Sequence, residues 1–292
     1  MSEEQYIPKW ANEIPKGLEI SYHDGLCAGK YGDLFDEYIY ECSSTGNIRY
    51  FLFDPVKHGA EPKKNYPLIV FFHGPSNSLD EKMCVSYSGA EYFASPEYQE
   101  EMGGAYILVP LSNEERMENG GITGMWSRPY LAPIYNIITE ISDKYSCGKK
   151  IALGGSMGGW FTWRICEEYP IFSGIMPVST NYVSPKDKLE MFREKNISVN
   201  FILGLHDEFI DYRDIESKLS ILKTFDNVHC WFPRWVKNAD GGVASINVNG
   251  VEMGQHCVMV QVQSNLIDNE GTPYDEQLPE GVTGWIKKIV NG

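Results

Sequence analysis

Residues 149–163 read KKIALGGSMGGWFTW. Ile151, Ala152 and Leu153 have the make-up of a short buried strand, and MGGWFTWRICEEYP, closed by Pro170, has that of a helix. Between them stands Gly154-Gly155-Ser156-Met157-Gly158, a G-x-S-x-G turn with a strand before it and a helix after it. A serine on so tight a turn takes strained backbone angles, so Gly154, Gly155 and Gly158 are expected to leave room for the chain and for a ligand. The Ser156 hydroxyl would then stand at the strand's carboxyl end above a helix N-terminus, which favours a developing negative charge. The plainer alternative is a glycine-rich turn that only packs a helix on a sheet.

Upstream of this turn, EYIYECSS and NIRYFLFDPV are two β-rich runs around Thr45-Gly46, KKNYPLIVFFHG is a buried-strand run ending at Gly74, and AYILVPL follows near 105–111. PYLAPIYNIITEISDKY places Leu131, Ile134, Ile138 and Ile141 at helical spacing. Downstream, FSGIMPVST, ISVNFILGL and NVHCWF are strands, with helices expected around 185–195, 211–225 and 280–290. Continuous apolar strands alternating with helices predict a three-layer α/β fold: a mostly parallel sheet of about eight strands, helices on both faces, and an antiparallel pair at its start. With no repeat, linker or low-complexity tract, 1–292 is read as one domain, with 1–36 as an N-terminal extension and 112–128 and 233–255 as lid or rim insertions.

The 40 acidic against 25 basic residues, a formal charge of -15, and basic clusters no longer than Lys63-Lys64, Lys149-Lys150 and Lys287-Lys288 argue against a nucleic-acid partner. No stretch has the ~20 apolar residues of a membrane span, and MSEEQYIPKW has no leader-like apolar core, so a cytosolic chain is expected. Cys27, Cys42, Cys84, Cys147, Cys166, Cys230 and Cys257 are scattered and form no CxxC pair, which predicts reduced, mostly buried thiols and neither disulfide framework nor metal site. No cofactor is called for.

A serine is a poor nucleophile unless a histidine takes its proton and a carboxylate fixes that histidine's tautomer. In FILGLHDEFIDY a β-rich run ends at Leu203-Gly204 and Asp207 opens the following loop; Glu208 and Asp211 are its near rivals. Of six histidines, His23, His58 and His73 precede the serine, His229 lies within NVHCWF, and His206 adjoins Asp207 too closely to be oriented by it. His256 in MGQHCVMV remains. A lone histidine beside Cys257 would otherwise be read as a core residue or a metal ligand.

The order NIRYFLFDPV, PLIVFFHG, GGSMGG, LGLHD, GQHC resembles the α/β-hydrolase superfamily over about residues 37–290, and within it the group around feruloyl esterases and polyhydroxybutyrate depolymerases. The resemblance implies Ser156 as nucleophile, Asp207 as acid in LGLHDEFI, with Leu203 where the family has histidine, and His256 as base. It also implies an oxyanion hole made by the N–H of Met157 and of the residue after His73-Gly74. That residue is Pro75, which has no N–H. Losing one such donor costs about 2.7–4 kcal/mol of transition-state stabilisation, so Ser76, or else Asn77, is expected to replace it.

NGGITGMWSRPY is longer than a tight connection requires, and Met125 and Trp126 could wall or cover the serine; a surface loop with one anchoring tryptophan is the alternative. PRWVKNADGGVASINVNGVEMGQ holds a hairpin around Asn249-Gly250, and Trp160 is assigned to the core. The expected activity is hydrolysis of a small-molecule carboxylic ester through an acyl-enzyme. A peptidase of the prolyl-oligopeptidase kind is the main alternative, and an acyltransferase or an idle binding module is a lesser one.

Overall fold

A computed structural model describes residues 6–22, 29–62, 65–79, 83–86, 89–248 and 250–292; His23, Cys27 and Asn249, singled out above, lie outside them. The chain forms β1 (Ile20–Tyr22), β2 (Asp36–Tyr40), β3 (Ile48–Phe53), β4 (Leu68–Phe72), α1 (Met83–Ser86), α2 (Pro96–Met102) and β5 (Tyr106–Pro110). A small excursion, β6 (Glu115–Arg116) with β7 (Ile122–Thr123), leads to α3 (Leu131–Lys144), β8 (Lys150–Gly155) and α4 (Met157–Glu168). Then come β9 (Gly174–Val178), α5 (Lys186–Glu194), β10 (Ser198–Ile202), α6 (Glu216–Leu222) and β11 (Val228–Trp231). The last part holds β12 (Val243–Ser245), β13 (Asn247–Val248), β14 (Val251–Glu252), α7 (Met259–Gln263) and α8 (Gly281–Asn291).

Eight strands make the central sheet in the order β11-β10-β9-β8-β4-β5-β3-β2. Strand β3 runs antiparallel to both β2 and β5, and the remaining neighbours are parallel. Side chains alternate between the faces: Leu68, Val70 and Phe72 pack with α3, α4, α5 and α6, while Ile69 and Phe71 pack with α1, α2, α7 and α8. A strand buried on both faces has no polar positions to spare, which is why β4 and β5 read as unbroken apolar runs. The three layers follow. No described helix is long and apolar enough to cross a membrane.

Two features were not expected. Strand β1 pairs in parallel with β12 outside the main sheet, and Trp10 packs on Trp235, so the segment read as an N-terminal extension is joined to the 233–255 excursion. Helices α1, α2 and α7 were not foreseen; at four, seven and five residues they are too short to show a helical period.

Candidate active site

Strand β8 ends at Gly155 and α4 begins at Met157, so Ser156 alone makes the turn, at φ 57° and ψ −119°. An L side chain rarely adopts that conformation, and surrounding structure must hold it there. Ser156 N–H donates to Val178 O at 2.9 Å, and Ser156 O accepts from Trp160 N–H at 3.0 Å. Close packing does the rest: a Cβ on Gly158 would lie 2.0 Å from Phe72 O, and one on Gly154 would lie 2.5 Å from the same atom. Gly155 departs from the expectation, because a Cβ there would sit at an ordinary 3.4 Å from Met259 Cε. The Met157 N–H belongs to the first turn of α4, where no intrahelical partner exists for it.

Because β8, β9 and β10 are neighbours, the loops beyond their carboxyl ends converge. Beyond β10, the Asp207 carboxylate accepts main-chain N–H bonds from Phe209 at 2.8 Å and Ile210 at 2.9 Å. Both its oxygens face His256 Nδ1, at 2.9 and 2.8 Å, with the Asp207 side chain fully buried. A carboxylate only accepts, so Nδ1 carries the proton and the neutral ring presents Nε2 as a base. The His256 main chain is tied at both polar atoms: its N–H donates to Glu208 Oε2 at 2.7 Å and its carbonyl accepts from Ser179 Oγ at 2.6 Å. Val178 and Ser179 thus hold the serine and histidine backbones from consecutive residues. Glu208 Oε1 also accepts from Gln255 N–H and Trp10 Nε1 at 3.0 and 3.1 Å. Burial pushes the Glu208 carboxyl above the usual carboxylate range, against the pull of those donors.

No protein-family model matches the sequence, and no curated protein does. Solved structures do resemble it. A thermostable esterase superposes with a TM-score of 0.55 at 24% identity, over 70% of this chain but only 55% of its own length. The feruloyl esterase module from Clostridium thermocellum, complexed with sinapinate, gives 0.51 at 15% identity over 75% and 88% of the two chains. A ferulic acid esterase gives 0.50 at 14% over 68% and 89%.

The chain has the α/β-hydrolase fold.

Of the three carboxylates near this loop, Asp207 is the one that meets the His256 ring, and its rivals do other work. Glu208 clamps the His256 backbone, and Asp211 pairs with Arg213 at the surface. His229 Nε2 meets Asp275 at 2.6 Å, and His206 stacks on Trp235 at 3.9 Å. His73 is buried: its Nδ1 faces Gly74 O at 2.7 Å, so Nδ1 carries the proton and Nε2 accepts the Ser112 N–H at 3.2 Å. Burial holds its pKa below the ordinary imidazole value.

Several expectations are corrected. Trp126 is not a pocket wall; only 2% exposed, it stacks on Phe161, and its Nε1–H donates to His73 O at 3.0 Å. It is the anchoring tryptophan of the 112–128 excursion, whose β6–β7 hairpin is antiparallel, and the neighbouring Met125 is half-buried. Ser76 is not a free donor, because its N–H is bonded to Glu114 Oε1 at 3.0 Å. Trp160 is only partly buried, against the core assignment. Among the thiols, Cys84 and Cys166 are buried but Cys42 is partly exposed, and hydrogen bonds with the Ser44 and Thr45 hydroxyls lower it to about 7. Sequence reasoning missed Glu114 and Ser179 and named Glu208 only as a rival acid; their contacts with the site span 36–77 residues. It also missed Phe209, 56% exposed, whose ring stands edge-to-face on His256 at 4.9 Å.

Proposed function

We propose that the chain is a serine hydrolase that cleaves a carboxylic ester through an acyl-enzyme, with Ser156 as nucleophile, His256 as base and Asp207 as the orienting acid. The observation that carries this reading is the buried Asp207 carboxylate on His256 Nδ1, in a loop tied by Ser179, the neighbour of the Val178 that holds a serine at positive φ on a strand-to-helix turn. The fold shared with solved esterases supports it.

Ser156 Oγ bonds to the ester carbonyl carbon as His256 Nε2 takes its proton, and the carbonyl electron pair moves onto oxygen, near the Met157 N–H. Collapse breaks the bond to the alcohol oxygen, which takes the proton back from Nε2. Water then repeats the sequence on the acyl-enzyme and releases the acid. The proton's route places the alcohol half on the histidine side, where Phe209 is exposed and a hollow of about 830 Å³ is lined by Leu205, Phe209, Tyr212 and Phe232 with Asp211 and Asp214. Arg213 also lines it and is paired to Asp211, so the rings of Phe209, Tyr212 and Phe232 are what this side offers an uncharged leaving group.

A panel of neutral p-nitrophenyl esters beside chromogenic peptides, with fluorophosphonate labelling, tests the reading. Ester turnover and labelling are expected in the native protein and lost in Ser156→Ala. A labelled serine without ester turnover, or peptide cleavage faster than ester cleavage, overturns it.

A further inference from the structure

The proposed chemistry calls for a second oxyanion donor, and in the loop expected to carry it the Ser76 N–H is committed elsewhere. Pro75 has no N–H. Ser76, at φ 67°, directs its N–H to Glu114 Oε1 at 3.0 Å. Ser78 gives both its N–H and its hydroxyl to Glu114 Oε2, at 3.1 and 2.8 Å. Glu114 is buried just beyond β5, and a carboxylate with three of its roughly four acceptor positions filled by one turn fixes that turn's shape. Between the two tied serines stands Asn77. Its Oδ1 and Ser156 Cβ both lie close to the point a Cβ on Gly74 would occupy, at 3.3 and 3.8 Å, with Gly155 O at 3.7 Å. With no side chain on Gly74, the Asn77 carboxamide oxygen and the Ser156 Cβ border the same space.

We infer that the Asn77 carboxamide is the second oxyanion donor, opposite the Met157 N–H, and that Glu114 is the positioning residue that turns the loop to present it. Rotation about the Asn77 Cβ–Cγ bond exchanges Oδ1 for Nδ2, whose two N–H groups can meet a negative oxygen. This assignment rests on Ser156 being the nucleophile.

The test is steady-state kinetics on a p-nitrophenyl ester for Asn77→Ala, Asn77→Asp, Glu114→Gln and the double variant, beside binding of an alkyl boronic acid and fluorophosphonate labelling of the native protein. Asn77→Ala should lower kcat by about 10²–10³ with KM nearly unchanged, and weaken the boronic acid in parallel. Its thermal unfolding should not move, since the side chain is half-exposed. Asn77→Asp should be worse, because a carboxylate repels the oxyanion. Glu114→Gln turns an N–H group toward an N–H donor; its loss of kcat should nearly vanish in the Asn77→Ala background, as expected of a residue acting through Asn77. Labelled Ser156 with native kcat in Asn77→Ala overturns the inference alone, as does full additivity with Glu114→Gln. Absence of both labelling and ester turnover in the native protein removes the reading beneath it as well.

Discussion

The turn carrying Ser156 and the loop carrying His256 are held by opposite means. The serine turn is locked by contact: Gly154 and Gly158 press on the Phe72 carbonyl, and the neighbours are strands of the same sheet. The histidine loop is held by hydrogen bonds instead: the buried Asp207 carboxylate on the ring, and the half-buried Glu208 carboxylate and the Ser179 hydroxyl on the main chain. Contact packing tolerates no added atom. A hydrogen-bonded clamp tolerates atoms but depends on charge and on which groups donate.

The largest effect is expected at the ring. Asp207→Asn should lower ester turnover by about 10⁴, because a carboxamide can turn an N–H toward Nδ1 and leave the ring in the wrong tautomer. Asp211→Asn, at a residue that lines the hollow without touching the ring, should cost under about tenfold; equal losses in both would misplace the acid. Next comes the contact side. Gly158→Ala should cost at least about 4 kcal/mol in urea unfolding or prevent folding, since no flexible side chain can yield at 2.0 Å from a strand carbonyl. Gly155→Ala should cost less than about 1 kcal/mol. Similar costs at both positions would show that close packing is not what holds the turn.

How far the site was legible follows the same division. The steric demands of the serine turn are met within one stretch of residues, so KKIALGGSMGGWFTW displays them. That Asp207 would meet His256 was legible from the place of the first at a strand end and from the elimination of the other histidines. The clamps were not, because nothing beside Glu114 or Glu208 in sequence says that its oxygens will meet Ser76 or His256. Trp126 was misread for a related reason: glycine-rich surroundings look like a lid, while its partners Phe161 and His73 are far along the chain. Of the unforeseen helices, α2 did carry a signal, with Ser95 Oγ capping the Tyr98 N–H and Pro96 in its first turn.

A smaller effect separates the two sides further. Glu208→Gln keeps the shape but offers an N–H where only acceptors serve, and should lower kcat by about tenfold while Ser156 still reacts with fluorophosphonate. Unchanged kcat would make the clamp structural only. The smallest effect is in the pH dependence of stability, where the sides should move in opposite directions. His73 has a lowered pKa in the fold, so below about 6.5 the unfolded chain takes a proton the folded one refuses, and stability falls as the pH drops. Glu208 has a raised pKa, so its contribution is complete below the ordinary glutamate value and is lost as the pH rises through the higher one. Urea unfolding from pH 4 to 8 should show a flatter acid side in His73→Gln and a flatter slope above the carboxylate range in Glu208→Gln, each by at most about 1.4 kcal/mol per pH unit. If either variant changes the opposite limb, that assignment fails.

The parallel pairing of β1 with β12 sets an order of events during synthesis. Ser21 donates to Asp240 at 2.7 Å across 219 residues, and Asn238 reaches back to Ser21. A ribosome adding ~5–20 residues per second delivers the second strand on the order of 10–40 s after the first. Through that interval Ile20–Tyr22 has no strand partner, while the sheet around β4, β5 and β8 can already form and carry the serine turn. The nascent chain therefore has Ser156 in place long before His256, and the strand at Ile20–Tyr22 waits for its partner until most of the chain is made.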